Sequence, residues 1–191
     1  MSYLAFDCET TGLLPNCNVL TVYFVILDEK LNILDELDLK IKHDYYLVFT
    51  KALEINKINL LEHDKIAISK IEARSQIIKF LKKYENKYQI IGHNIKFDID
   101  MLINNKILMA NEINTYFDTC YLDTYKIAQL LKSKKKINKC QSLSLSKLCY
   151  YFDINNEFSD NNFHNCKYDT LSTIELFKKL IELKNSEEIK L

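Results

Sequence analysis

Only two glycines and one proline occur in 191 residues. Few turns can therefore be marked by them, and Asn and Asp must supply the left-handed backbone positions. No apolar run is long enough to span a bilayer. The first residues lack the basic start and apolar stretch of a signal peptide, so an intracellular site and no membrane association are expected. The six cysteines (Cys8, Cys17, Cys120, Cys140, Cys149, Cys166) form no C-x-x-C pair, which argues against a zinc site. Scattered thiols in an intracellular chain are expected to stay reduced. Net charge is absent too: 26 basic and 26 acidic residues cancel. Attraction for a polyanion must then come from local patches or bound cations. Apolar and charged fractions of 48% and 27% are those of a globular chain of one domain with a sizeable core. We expect a single domain over 1–184 and a charged tail over 185–191.

The most informative stretch is Tyr3-Leu-Ala-Phe-Asp-Cys-Glu-Thr-Thr-Gly-Leu13. Its apolar start reads as a buried strand. Asp7 and Glu9 follow, two apart, so a strand sends both carboxylates one way and Cys8 the other. Gly12 and Pro15 end the strand and leave the acids beside a turn. Paired carboxylates repel, more so when buried. A divalent cation with oxygen ligands removes that conflict. An edge strand with two solvated acids would also accommodate the pattern, and the pair alone leaves both readings open.

Farther along, Val19 to Leu27 is strongly β-prone, Asp28-Glu-Lys is a polar turn, and Leu31 to Ile41 partly alternates. The first three strands read as an antiparallel meander whose apolar middle strand is covered on both faces. Val48 to Ile68 fits either short helices or an irregular connection. Ile71 to Tyr84 carries a helical stripe through Ile71, Ile77, Ile78, Leu81 and Tyr84. Tyr88 to Gly92 reads as a short strand, Phe97 to Ile107 as a helix, and Tyr116 to Leu122 as a strand. Asp123-Thr124 offers a cap for the next helix, and Ser142 for another. Lys132 to Lys139, with five lysines, reads as a basic loop that could contact a nucleic-acid backbone. Asn155 to Asn162 reads as a polar loop, and Tyr168 to Leu183 as the last helix. Strands followed by alternating helices and strands indicate an α/β domain with a mixed sheet.

Three stretches share one resemblance. Asp7-Cys-Glu-Thr-Thr-Gly-Leu13 is similar to the first motif of the DEDD 3′–5′ exonuclease superfamily, the group of proofreading exonucleases and RNase T. His93-Asn-Ile-Lys-Phe-Asp98 resembles the second. His164-Asn-Cys-Lys-Tyr-Asp169 resembles the third, with the His-x4-Asp spacing of the DEDDh branch. The resemblance runs from about Tyr3 to Leu180. It implies an RNase H-like fold: a mixed five-stranded sheet flanked by helices on both faces.

The resemblance also implies a chemistry. Phosphodiester hydrolysis needs an activated water, neutralised charge on the phosphorane and a stabilised leaving oxygen. Two divalent ions roughly 3.5–4 Å apart supply all three. Mg²⁺ or Mn²⁺, two per site, are the implied cofactors, with Asp7, Glu9, Asp98 and Asp169 as ligands. The counterparts of Asp7, Glu9 and Asp169 hold one ion; those of Asp7 and Asp98 serve the second. Metal-free, such a cluster is expected to be partly protonated. His164 is the implied general base. Thr10, Thr11, Leu13, Asn94 and Phe97 are implied contacts to the terminal nucleotides. The implied partners are single-stranded 3′ ends, DNA before RNA, and a DNA polymerase. One departure stands out: many relatives place an Ile-Glu-Ile-Gly-Ala-like run in the second strand, where Thr21 here stands for the glutamate. A nuclease-like fold kept as a binding module is the rival from another class, and the presence of all four acids and the histidine argues against it.

Overall fold

The computed structural model describes residues 2–84, 87–154 and 164–185. The polar stretch 155–162 expected as a loop and residues 186–191 of the expected tail lie outside the described residues.

The meander forms as the pattern requires: β1 (Tyr3–Thr10), β2 (Val19–Leu27) and β3 (Ile33–Lys42) pair antiparallel in sequence. All nine residues of β2 are buried, because it lies at the centre of the sheet with both faces covered. The sheet then continues outward with parallel neighbours. β4 (Ile68–Ser69) joins β3; β5 (Gln89–Gly92) joins β1, and β6 (Leu122–Asp123) joins β5. The order is β4-β3-β2-β1-β5-β6, six strands where five were expected. The two edge members are two residues long, too short to leave an alternating sequence signal.

The ambiguous stretch before β4 contains two seven-residue helices, α1 (Thr50–Asn56) and α2 (Leu60–Ile66). Asn59 caps α2, its side chain accepting from the Leu61 and Glu62 amides. Two buried histidines fasten this region to β2. His43 Nε2 donates to Val19 O at 2.7 Å and His63 Nε2 to Leu20 O at 2.9 Å.

One face of the sheet carries α3 (Lys70–Leu81), α4 (Lys96–Asn104) and α5 (Ala110–Tyr116), which pack on the even residues of β1, Leu4, Phe6 and Cys8. Ile71 falls off the expected stripe and is exposed. The expected strand over 116–122 is mostly absent. Glu112 reaches back to the Met109 amide at 2.8 Å and receives Arg74, so the preceding residues close into α5 instead. The other face carries α6 (Thr124–Ser133), α7 (Leu145–Tyr151) and α8 (Cys166–Asn185) against Ala5, Tyr23 and Val25. Asp123 caps α6 as expected, whereas Ser144, not Ser142, holds the cap position of α7.

Candidate active site

The acids gather at the carboxyl end of β1. Asp7 and Glu9 share a face with Ala5, the face on which α8 lies, and the first turn of α8 brings Asp169 to them. One oxygen from each of Asp7, Glu9 and Asp169 lies within 4.8 Å of the others. Oxygens across an Mg²⁺ ion are about 4.2 Å apart, given Mg–O distances near 2.1 Å. In octahedral geometry neighbouring ligand oxygens lie about 3 Å apart, so the three would draw together by up to about 2 Å to share one cation. Among the described residues no lysine or arginine pairs with any of them. Asp169 Oδ1 is buried without a hydrogen-bond partner. Native folds rarely leave a buried acceptor so. A donor set of clustered carboxylate oxygens, one of them unpartnered, fits a hard divalent cation.

The electrostatics agree. Burial, then the charges of Asp98, Asp169 and Glu9, hold the Asp7 carboxyl well above its ordinary range. Burial and the neighbouring Asp169 and Asp98 push Glu9 up to about 8, although the Asn56 side chain opposes the shift. Asp169 is pushed to about 7 by burial, against the pull of its bond from the His164 amide. The metal-free cluster is thus partly protonated near neutrality. The fold can carry this conflict because burying one large aliphatic side chain contributes about 1.5–3 kcal/mol, and β2 alone buries six.

Asp98 stands apart. It comes from the first turn of α4, on the opposite face, and is buried. Its Oδ1 accepts from the Cys8 amide and from Cys8 Sγ, each at 3.1 Å. Burial raises it to about 7, and the Cys8 bonds work against that rise. The spacing argument that turned Cys8 away from Asp7 and Glu9 thus holds, and it turns Cys8 toward the fourth acid.

His164 is exposed, with φ 70°. Its amide donates to Asp169 Oδ2 at 3.1 Å, so backbone and carboxylate are linked across the first turn of α8. A cleft of about 720 Å³ opens over the acids. Asp7, Glu9, Asp98, Asp169 and His164 line it together with Thr10, Leu13, Asn94 and Phe97. Leu13 is 82% exposed at the cleft mouth. Asn94 adopts φ 61°, and Asp123 Oδ1 accepts its amide at 2.9 Å while also capping α6. Thr11 is the exception among the residues expected near substrate. It is fully buried, and its hydroxyl accepts from the Asn18 amide at 2.9 Å within the β1–β2 turn. The short turn leaves its side chain no route to the cleft.

The sequence reading missed the far wall. Phe49, Ala52, Ile55 and Asn56 of the α1 region line the cleft, with Phe49 and Ile55 more than two-fifths exposed. Asn56 Nδ2 donates to Thr10 O at 3.2 Å, tying α1 to the end of β1. A Cβ on Gly12 would lie 2.6 Å from the Phe49 ring, so glycine is what lets this wall close. A run of apolar residues in an otherwise polar, short-helix segment was the available signal. His93 also lines the cleft and is held in place by a hydrogen bond at the sheet end. The Thr124 hydroxyl donates to Gly92 O, leaving its oxygen to accept from His93 Nδ1 at 2.9 Å.

The basic loop lies elsewhere. β6 runs parallel to β5 and β5 to β1, so α6 starts at the acid end of the sheet. Ten helical residues then carry the chain about 15 Å away before Lys134 is reached.

A six-stranded mixed sheet with helices on both faces and acids at the end of its first strand is an RNase H-like nuclease architecture. The sequence model of the RNase T exonuclease family matches residues 4–177, and the chain belongs to this exonuclease family. A curated relative, DNA polymerase III PolC-type of Ureaplasma parvum serovar 3, is 22% identical over 181 residues, covering 93% of this chain and 11% of the polymerase. Among solved structures, E. coli Exonuclease I in complex with a dT13 oligonucleotide aligns with a TM-score of 0.77 at 17% identity, over 97% of this chain and 42% of the other. The zinc-bound form of the E. coli ExoI–ssDNA complex aligns with a TM-score of 0.74 at 18% identity, over 98% and 41%. The chain thus spans about two-fifths of these exonuclease chains and about a ninth of the polymerase.

Proposed function

We propose that this protein is a 3′–5′ exonuclease of the DEDDh type, removing nucleoside 5′-monophosphates from single-stranded 3′ ends of DNA. The observation that carries the reading is the gathering of Asp7, Glu9 and Asp169, with an unpartnered buried oxygen, at the head of a cleft with an apolar wall. Asp7, Glu9 and Asp169 would hold one divalent cation, and Asp7 with Asp98 a second; Mg²⁺ or Mn²⁺ suits oxygen donors. Bound there, such ions neutralise phosphorane charge and stabilise the leaving 3′ oxygen.

The chain's own groups do the rest. Leu13, Phe49, Ile55 and Phe97 offer apolar surface on which the terminal base can stack. Thr10 and Asn94 present polar groups to the sugar and phosphate. His164, exposed at the rim, takes the proton from the attacking water. Its amide is bonded to Asp169 Oδ2, so the backbone that carries the base is anchored on the carboxylate. Thr21 is the cross-strand partner of Glu9, where many relatives carry a glutamate, and it pairs with Cys166 Sγ at 3.2 Å. DNA is preferred as substrate because the oligonucleotide in the Exonuclease I complex is dT13 and the curated relative is a DNA polymerase. That polymerase also makes a replicative partner the natural one to seek.

The test uses 5′-labelled single-stranded DNA and RNA with Mg²⁺, with free and blocked 3′ ends. We expect a ladder shortening from the free 3′ end, faster on DNA. Asp7→Ala should abolish it, and His164→Ala should slow it about 10²–10⁴-fold while Mn²⁺ binding is kept. Faster loss of RNA would assign an exoribonuclease. Tight binding with no cleavage of either polymer would replace the enzyme by a binding module.

A further inference from the structure

The Asp98 carboxylate is not placed by its own helix alone. Pairing between β1 and β5 covers only Tyr3–Ala5, and β5 ends at Gly92. Beyond it the edge of β1 has no strand neighbour, and an unpaired buried amide is costly. Asp98 fills that place: Cys8 N donates to Oδ1 at 3.1 Å. The thiol of the same residue donates to the same oxygen, also at 3.1 Å, and both residues are at least nine-tenths buried. Two donors from one residue thus converge on Oδ1 and leave Oδ2 as the oxygen for another partner.

We infer that Cys8 is a positioning residue, whose thiol fixes the orientation of Asp98 and thereby sets how tightly the second cation is held. A single amide bond would leave the carboxylate free to swing about its last torsion. The thiol adds a second direction of restraint. Partners that orient a metal-binding side chain influence affinity without touching the ion. On the other side of the strand Asp169 Oδ2 accepts a single amide, from His164, and its Oδ1 has no partner. The inference rests on the two-cation reading above.

The test compares Cys8→Val with Cys8→Thr, two variants of one shape that differ in a hydroxyl donor. Each full-length protein is titrated with Mn²⁺ in the presence of a nucleoside 5′-monophosphate, following free Mn²⁺ by electron paramagnetic resonance. Melting of the metal-free variants checks that neither has lost its fold; Cys8→Ser against Cys8→Ala serves as a second donor and non-donor pair if one has. Wild type should bind two ions. Valine should weaken the weaker step about three- to tenfold, at or below the low end for an orienting partner because a thiol is a weak donor. Threonine should restore it, and the tighter step should stay unchanged in both. Equal affinities for valine and threonine would overturn the role of the thiol while leaving two ions in place. A wild type that binds no second ion would instead overturn the two-cation reading, and the inference with it.

Discussion

The two sides of β1 treat their acids differently. On the α8 side, Asp7, Glu9 and Asp169 converge with little to relieve them, and one oxygen of Asp169 has no partner. On the α4 side, Asp98 is more deeply buried and receives two donors from Cys8. The same two-residue period produces both arrangements, since it separates Asp7 and Glu9 from Cys8. The contrast teaches that all four acids share one repulsion, since the Asp98 charge also bears on Asp7 and Glu9, but the strand itself supplies donors to the fourth alone. The fourth acid is built into the strand edge as a structural acceptor.

Two substitutions break this comparison. Asp169→Asn should remove the proposed hydrolysis by on the order of 1,000-fold or more, as loss of a directly acting electrostatic group does. It should also raise the melting temperature of the metal-free protein at pH 8, because it deletes one member of a mutually repelling set. Asp98→Asn should also cost activity and raise that melting temperature less, since its charge likewise bears on Asp7 and Glu9 but a neutral amide oxygen accepts more weakly from Cys8. Differential scanning fluorimetry in EDTA compares the two, and equal stabilisation by both would erase the distinction between the sides.

The pH dependence sharpens it. Unfolded, these acids titrate near 4. Folded and metal-free, Asp98 and Asp169 titrate at about 7 and Glu9 at about 8. Across that window the folded chain holds more protons than the unfolded chain. Stability contributed by these groups is therefore present below pH 4 and is lost as pH rises through 7 to 8. The metal-free melting temperature should fall between pH 5 and pH 8 on their account. Mg²⁺ competes with the same protons, so its stabilising effect should be larger at pH 8 than at pH 6. Melts in EDTA and in Mg²⁺ across this range check both slopes, and parallel curves would remove the cation from the cluster.

The smallest effect concerns the basic loop. Neutralising Lys134, Lys135 and Lys136 together should change the salt slope of oligonucleotide binding by less than about one unit, whereas three phosphate contacts would contribute roughly two. A larger change would extend the nucleic-acid track to the far end of α6.

How far the sequence reached depended on the range of the interactions involved. Apolar β-prone runs placed β1 and β2, and partial alternation placed β3, because a strand writes the number of its buried faces into its own residues. Resemblance to the three DEDD exonuclease motifs grouped Asp7, Glu9, Asp98, His164 and Asp169 as one expected set. The segment from Val48 to Ile68 stayed ambiguous because seven-residue helices are too short to display a full apolar stripe. The cleft wall it forms around Phe49 and Ile55 was illegible for the same reason. The two-residue edge strands have no pattern to read.

What the sequence determined by itself is the chemistry available: which carboxylates exist, which two point the same way, and that Cys8 must point the other. Only the tertiary structure decided their company. The end of β5 left the Cys8 amide open for Asp98, and the first turn of α8 delivered Asp169 beside Glu9. Those outcomes depend on where strands stop and how helices cross the sheet, and contacts made 90 or 160 residues apart leave no local trace in the chain.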